Sequence, residues 1–333
     1  MKTPRSLSYS SLSLFEKDIE EFYMRYLADK AAPRLPQEPP MAVGSAFDAF
    51  VKAALHSQLF GVSSNPQFEF GTIFESQVEP QCRDFALKAG KHIWKCYKLT
   101  GAYEELFVLL QRSIEPPRFE FKVEGLIGGA PFLGKPDCRF VLDLGDGPIH
   151  VILDWKVHGY CSKYGASPSK GYMLCRDGYL FDKPSRSHCK EHANFLGMNY
   201  HGLLINSGYM EGCNNEYADQ LCLYGWLLGE AVGDENVVLM IDEIVAKYMG
   251  PDVRPLLRVA NHRGRVSKAH QESLVKRVAQ CWTAITSGHV FTDMTPEESR
   301  SRCEVLDNMA GGLMSDGSVK EDFFAECVRT KKW

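Results

Sequence analysis

The sequence predicts an α/β fold from three observations: a β-hairpin signature mid-chain, amphipathic helical segments ahead of it, and further strands and a helix behind it. Residues 140–144 and 149–153 are β-branched and aliphatic runs separated by Gly145-Asp146-Gly147-Pro148, a strong turn signal. With 333 residues, 44% of them hydrophobic, the chain can bury a large core, as one elaborated domain or a domain with a lobe.

The elements follow in order. Ser8 or Ser10 suits the N-cap of an amphipathic helix through Leu12, Phe15, Ile19, Phe22, Tyr23 and Tyr26. Pro33, Pro36, Pro39 and Pro40 predict a rigid connector closing an N-terminal segment, 1–40, that packs on the core. A core over 41–290 begins with a helix at 44–56, then a helical stretch at 78–111 interrupted near Gly90 and Gly101. A strand at 119–123 precedes the hairpin and makes Glu120 a candidate to sit near any metal held there. An irregular insertion at about 159–215, a candidate lid or DNA guide, separates the hairpin from a helix around 217–228. Strands at 237–246 and 255–260, a helix at 266–285 and a C-terminal extension at 291–333 complete the chain.

The apolar pattern sets a register for the hairpin. A two- or four-residue loop pairs Leu144 with Ile149, Leu142 with Val151, Phe140 with Leu153 and Cys138 with Trp155, all apolar. The other face then carries Asp137, Arg139, Asp154 and Lys156, because side chains alternate with period two. Asp137 falls opposite Lys156 and diagonal to Asp154, roughly 7–8 Å away, a gap that one bridging cation closes. Two carboxylates are hard ligands suited to Mg²⁺ or Mn²⁺, and the Trp155 carbonyl between them is a further candidate ligand. A lysine two residues beyond can orient an attacking water or stabilise a pentacovalent state, so the group suits phosphodiester hydrolysis. The same residues also suit ordinary cross-strand ion pairs on a solvated sheet.

Pro136-Asp137 and Asp154-Trp155-Lys156 resemble the signature of the PD-(D/E)XK nuclease superfamily. Three further segments, in the expected order, resemble its RecB-like branch. They are Ser8-Tyr9-Ser10-Ser11-Leu12-Ser13-Leu14-Phe15 with Phe22-Tyr23, the Gly44 to Asp48 helix, where Asp48 replaces the usual histidine, and Gln220 with Tyr224 in a QxxxY helix. The resemblance covers residues 6 to 290 or so and implies a restriction-endonuclease-like core, a mixed central sheet flanked by helices. It implies a Mg²⁺- or Mn²⁺-dependent deoxyribonuclease, more an exonuclease than a site-specific endonuclease, acting in recombination, repair or phage DNA metabolism. Asp137 and Asp154 would hold the metal with the Trp155 carbonyl and Asp48, Lys156 would position the nucleophile, and Gln220 and Tyr224 would line the site. The implied partner is DNA, with room for a recombination or single-strand-binding protein. The implied location is the cytoplasm, a host's if the chain is phage-encoded. A nucleic-acid-binding or scaffold protein that keeps the fold without catalysis is the alternative, motivated by Asp48. By itself, QxxxY also fits a core stripe of Tyr217, Leu221, Tyr224 and Leu228. No iron–sulfur cluster is expected, because Asp18-Ile19 stands where the branch has Cys-Pro, and Cys281, Cys303 and Cys327 are widely spaced.

A formal charge of −4 does not advertise a DNA binder, so any phosphate contact must be local. Lys88, Lys91, Lys95 and Lys98 form a helical stripe, and Arg258, Arg263, Arg265 and Lys268 cluster near a turn; either could hold a backbone or be a solvated face. Eleven scattered cysteines without a signal peptide predict reduced thiols. Cys161, Cys175, His188, Cys189 and His192 lack the paired spacing of structural zinc. No apolar run approaches the roughly 20 residues that span a membrane.

Overall fold

A computed structural model describes residues 2–29, 36–62, 64–145, 147–161, 172–173, 197–200, 203–206, 209–212, 214–247 and 256–288. The expected extension at 291–333, most of the 159–215 insertion and the candidate zinc ligands after Cys161 lie outside these residues.

Helix α1 (Tyr9–Lys17) starts at Ser8, whose Oγ accepts the Ser11 N–H at 3.2 Å while Ser11 Oγ accepts the Ser8 N–H at 2.7 Å. This reciprocal box satisfies two otherwise orphaned donors. The helix does not run unbroken to Tyr26. Extended Asp18 ends it and caps α2 (Ile19–Phe22), which widens into a π-turn at Tyr23–Leu27. Helix α3 (Pro39–Phe60) starts earlier than expected. Pro39 and Pro40 fill its first turn, where a missing N–H has no intrahelical partner to lose, instead of extending a connector. Helices α4 (Phe70–Gln77), α5 (Arg83–Leu99) and α6 (Ala102–Gln111) follow. Gly101, at φ +79°, separates α5 from α6 as expected, whereas α5 continues through Gly90. A Cβ on Gly90 would stand 2.6 Å from Ala46 Cβ, so this glycine serves the close approach of α5 to α3.

The strands are β1 (Arg118–Phe119), β2 (Val123–Ile127), β3 (Ala130–Gly134), β4 (Cys138–Asp143), β5 (Pro148–His158), β6 (Tyr172–Met173), β7 (Gly197–Tyr200) and β8 (Leu203–Asn206). Helix α7 (Asn215–Leu228), strands β9 (Val237–Lys247) and β10 (Leu256–Gly264), and helix α8 (Lys268–Ser287) complete the fold. The expected strand at 119–123 breaks at Glu120, which takes φ +49°. A six-stranded sheet runs β1-β4-β5-β9-β10-β6, with β5–β9 parallel and the other pairs antiparallel. The architecture is therefore α/β, a central mixed sheet flanked by helices.

Both sheet faces are covered. Phe47 and Val51 of α3 and Ile93 and Tyr97 of α5 pack against Phe140, Val151 and Met240. On the other face, Leu221 of α7 and Leu274 and Val278 of α8 pack against Ile152, Leu239 and Ile241. Each such side chain withdrawn from water contributes roughly 1.5–3 kcal/mol. A solvated hairpin face is thus ruled out over most of its length.

The hairpin keeps the expected faces but not the expected register. Cys138 pairs with Leu153, Phe140 with Val151 and Leu142 with Ile149, a shift of two residues. The turn begins at Asp143, whose Oδ1 accepts the Gly145 N–H at 2.9 Å, and Gly145 and Gly147 take φ +105° and +108°. The period-two alternation survives a shift of two, so these three pairs remain apolar.

Candidate active site

Carrying this register one step past Cys138 sets Asp137 across from Asp154, not across from Lys156. In this register the two carboxyl groups are direct neighbours across the strands, and each shifts the other's titration. Asp137 Oδ2 also accepts the Trp155 N–H at 3.1 Å. The Trp155 ring packs into the core on the α3 side.

Helix α3 supplies a third carboxylate, Asp48, and a lysine absent from the sequence reading, Lys52, one turn later. Lys52 Nζ lies 2.7 Å from both Asp48 Oδ2 and Asp137 Oδ1 and contacts Glu120 Oε1. Its side chain is completely buried. Glu120 is turned in by its positive φ, and its N–H donates to the Asp137 carbonyl at 3.2 Å. Its second oxygen meets exposed Lys135. Gln77, at the end of α4, donates to Asp48 Oδ2 at 3.2 Å. Oxygens of Asp48, Glu120 and Asp137 lie within 4.8 Å of one another, a set that could hold a metal ion. A cleft of about 250 Å³ lined by Asp48, Gln77, Asp137 and Trp155 opens beside them.

On the far side of Asp154, Lys156 pairs with its carboxylate and donates to Gln220 Oε1 at 2.7 Å. Gln220 Nε2 donates to the Tyr224 hydroxyl at 2.9 Å. Helix spacing puts Gln220 and Tyr224 on one face of α7, which faces the hairpin. Gly134 allows this approach, since a Cβ there would stand 2.7 Å from the Tyr224 ring.

The charges decide what the cluster can bind. Asp48, Glu120, Asp137 and Asp154 bring four negative charges when fully ionised, against three from Lys52, Lys135 and Lys156, an excess of one that protons held on Asp48 and Asp154 reduce further. The carboxylates' hard oxygens are donors of the type that divalent cations such as Mg²⁺ or Mn²⁺ take. Burial raises Asp48 to about 7, with Lys52 opposing and Asp137 and Glu120 reinforcing. Burial would also raise Asp137, but Lys52, the hydrogen bond with Asp154 and Lys156 outweigh it and bring Asp137 to about 2. Asp154 is pushed well above the carboxylate range, first by burial and then by the charge of Asp137. Burial opposes the charge on Lys52, yet its three carboxylates hold it well above the usual lysine value. Two acids driven apart in this way divide one proton between them.

The basic candidates fare differently. Lys88, Lys91, Lys95 and Lys98 lie exposed along α5, with Lys98 Nζ 5.0 Å from the Trp94 ring centroid. Arg263 is buried beside Asp242, which corrects its reading as a phosphate contact: it faces the core. Arg265 is half-buried and donates to the Glu235 carbonyl at 3.1 Å. Arg258 lies in β10, and its side chain is outside the described residues. The six described cysteines are all free. No described helix is long and apolar enough to cross a membrane.

Lys52, Gln77 and Lys135 were missed as site residues. One signal was available for Lys52, the Asp48–Lys52 spacing of four on a helix. Gln77 carried none. No protein-family model and no curated protein matches this chain.

Proposed function

We propose that the protein is a Mg²⁺- or Mn²⁺-dependent DNA nuclease of the RecB-like PD-(D/E)XK type, an exonuclease in preference to an endonuclease. The observation that carries this reading is the convergence of Asp137, Asp154 and Lys156 with the Gln220–Tyr224 pair at one sheet end, beside an acidic set that could hold a metal ion. Asp137 and Asp154 are the expected ligands, with the Trp155 carbonyl and Asp48 beside them. Bound there, the ion would acidify a water and polarise the scissile phosphoryl group. Lys156 offers a donor to the nucleophile or the developing charge, and Gln220 restricts where its ammonium points. Tyr224 in turn anchors Gln220. Preference for DNA ends comes from the resemblance alone.

A second reading, a nucleic-acid-binding protein without catalysis, draws on Lys52 standing among three of the carboxylates. One assay separates the two. Purified protein is incubated with end-labelled linear and circular DNA and Mn²⁺. Linear DNA should be digested and circles spared, and Asp154→Ala should reduce digestion by about a thousand-fold or more, or about 4 kcal/mol of transition-state stabilisation. Undiminished digestion by Asp154→Ala would sink the assignment. Binding without any cleavage by the wild type would favour the second reading.

A further inference from the structure

We propose that Lys52 is a tethered cation that competes with the divalent ion for Asp48, Glu120 and Asp137, so that metal enters this set only as the ammonium group leaves it. The inference rests on the metal-dependent reading above and assigns a regulation to that site. Lys52 Nζ touches all three carboxylates, at 2.7 Å from two of them, and their oxygens lie within 4.8 Å of one another. A Mg²⁺ ion requires oxygens at about 2.0–2.1 Å, so an ion held by this set would stand where Nζ now stands. Two cations cannot share that volume.

The tether is covalent and short. Asp48 and Lys52 lie one turn apart on α3, so the ammonium is delivered to its partners at a high effective concentration that a free ion must overcome. The lysine chain is flexible, with rotatable bonds that let the ammonium move without moving the helix. The Trp155 ring, its centroid 5.9 Å from Nζ, borders the same space. Lys156 cannot play this part, because its ammonium sits on the α7 side of Asp154, paired with that carboxylate and Gln220. The expected consequence is weak metal binding in the wild type and tighter binding without the lysine.

The experiment is a Mn²⁺ titration of the full chain at pH 7.5, with free Mn²⁺ read by electron paramagnetic resonance. Lys52→Met should bind Mn²⁺ at least tenfold more tightly than wild type. Equal or weaker binding by the variant, with wild-type binding intact, overturns the tether and leaves the metal reading standing. No binding by either protein overturns both. A second measurement covers a variant that fails to fold: acetylation of Lys52 in the wild type, followed by mass spectrometry with and without Mn²⁺. Metal should raise Lys52 labelling several-fold, and unchanged protection under Mn²⁺ saturation overturns the tether.

Discussion

Lys52 and Lys156 flank the same pair of aspartates in contrasting surroundings. Lys52 comes from the α3 side, is wholly buried and is held by three carboxylates. Lys156 comes from β5, keeps a quarter of its side chain in solvent, and shares its ammonium between one carboxylate and a neutral amide. The difference teaches that a lysine's role follows from the number and charge of its partners. A caged ammonium is a counter-ion, whereas one paired with a single carboxylate and partly in solvent keeps a donor for a substrate.

Replacing each lysine by methionine gives the widest separation. Lys52→Met leaves an uncompensated carboxylate cluster and should cost about 3–5 kcal/mol of stability. Lys156→Met should cost about 1 kcal/mol, because its site is partly hydrated and only one carboxylate loses its partner. Urea denaturation of both variants checks this, and equal costs would erase the contrast. In nuclease assays the order should reverse, with Lys156→Met the more damaging at saturating Mn²⁺.

A smaller effect sharpens the Lys156 side. Gln220→Ala should lower metal-dependent digestion about 10–100-fold while leaving Mn²⁺ affinity unchanged, since Gln220 orients Lys156 and touches no carboxylate. Initial rates set against a Mn²⁺ titration test it, and a loss of affinity instead would place Gln220 among the ligand supports.

The pH dependence is the finest probe. Asp48 is raised from 3.8 to about 7, so the folded chain holds a proton that the unfolded chain releases. Metal-free stability from this group is therefore fully present below pH about 4 and declines as pH rises to about 7. Asp137 runs the other way. Lowered to about 2, it contributes stability above pH about 4 that is lost as pH falls towards 2. Melting temperatures across pH 2–8 should therefore pass through a maximum, and added Mn²⁺ should stabilise most at the alkaline end, where Asp48 is ionised. A flat response between pH 4 and 7 would remove Asp48 from the buried cluster.

Much of the fold was legible locally. The Ser8 cap, the hairpin turn and the two faces of β4 and β5 depend on neighbours within a few residues, where spacing and turn chemistry carry enough information. The register was not. Shifts of two leave the alternation unchanged, so the apolar pattern does not choose between them. Lys52 was hidden because its partners Glu120 and Asp137 lie 68 and 85 positions away. Arg263 was misread because basic residues near a turn look exposed until a second strand and Asp242 enclose them.

By itself, the chain's order of residues determined the main helices, the hairpin strands and which side chains of the hairpin share a face, because these follow from periodicity over a few residues. Only the tertiary structure decided that Asp137 meets Asp154, that Lys52 enters a cage of acids and that Gln220 reaches Lys156. The last two encounters join elements distant along the chain, and core packing on both sides of the sheet brings them together.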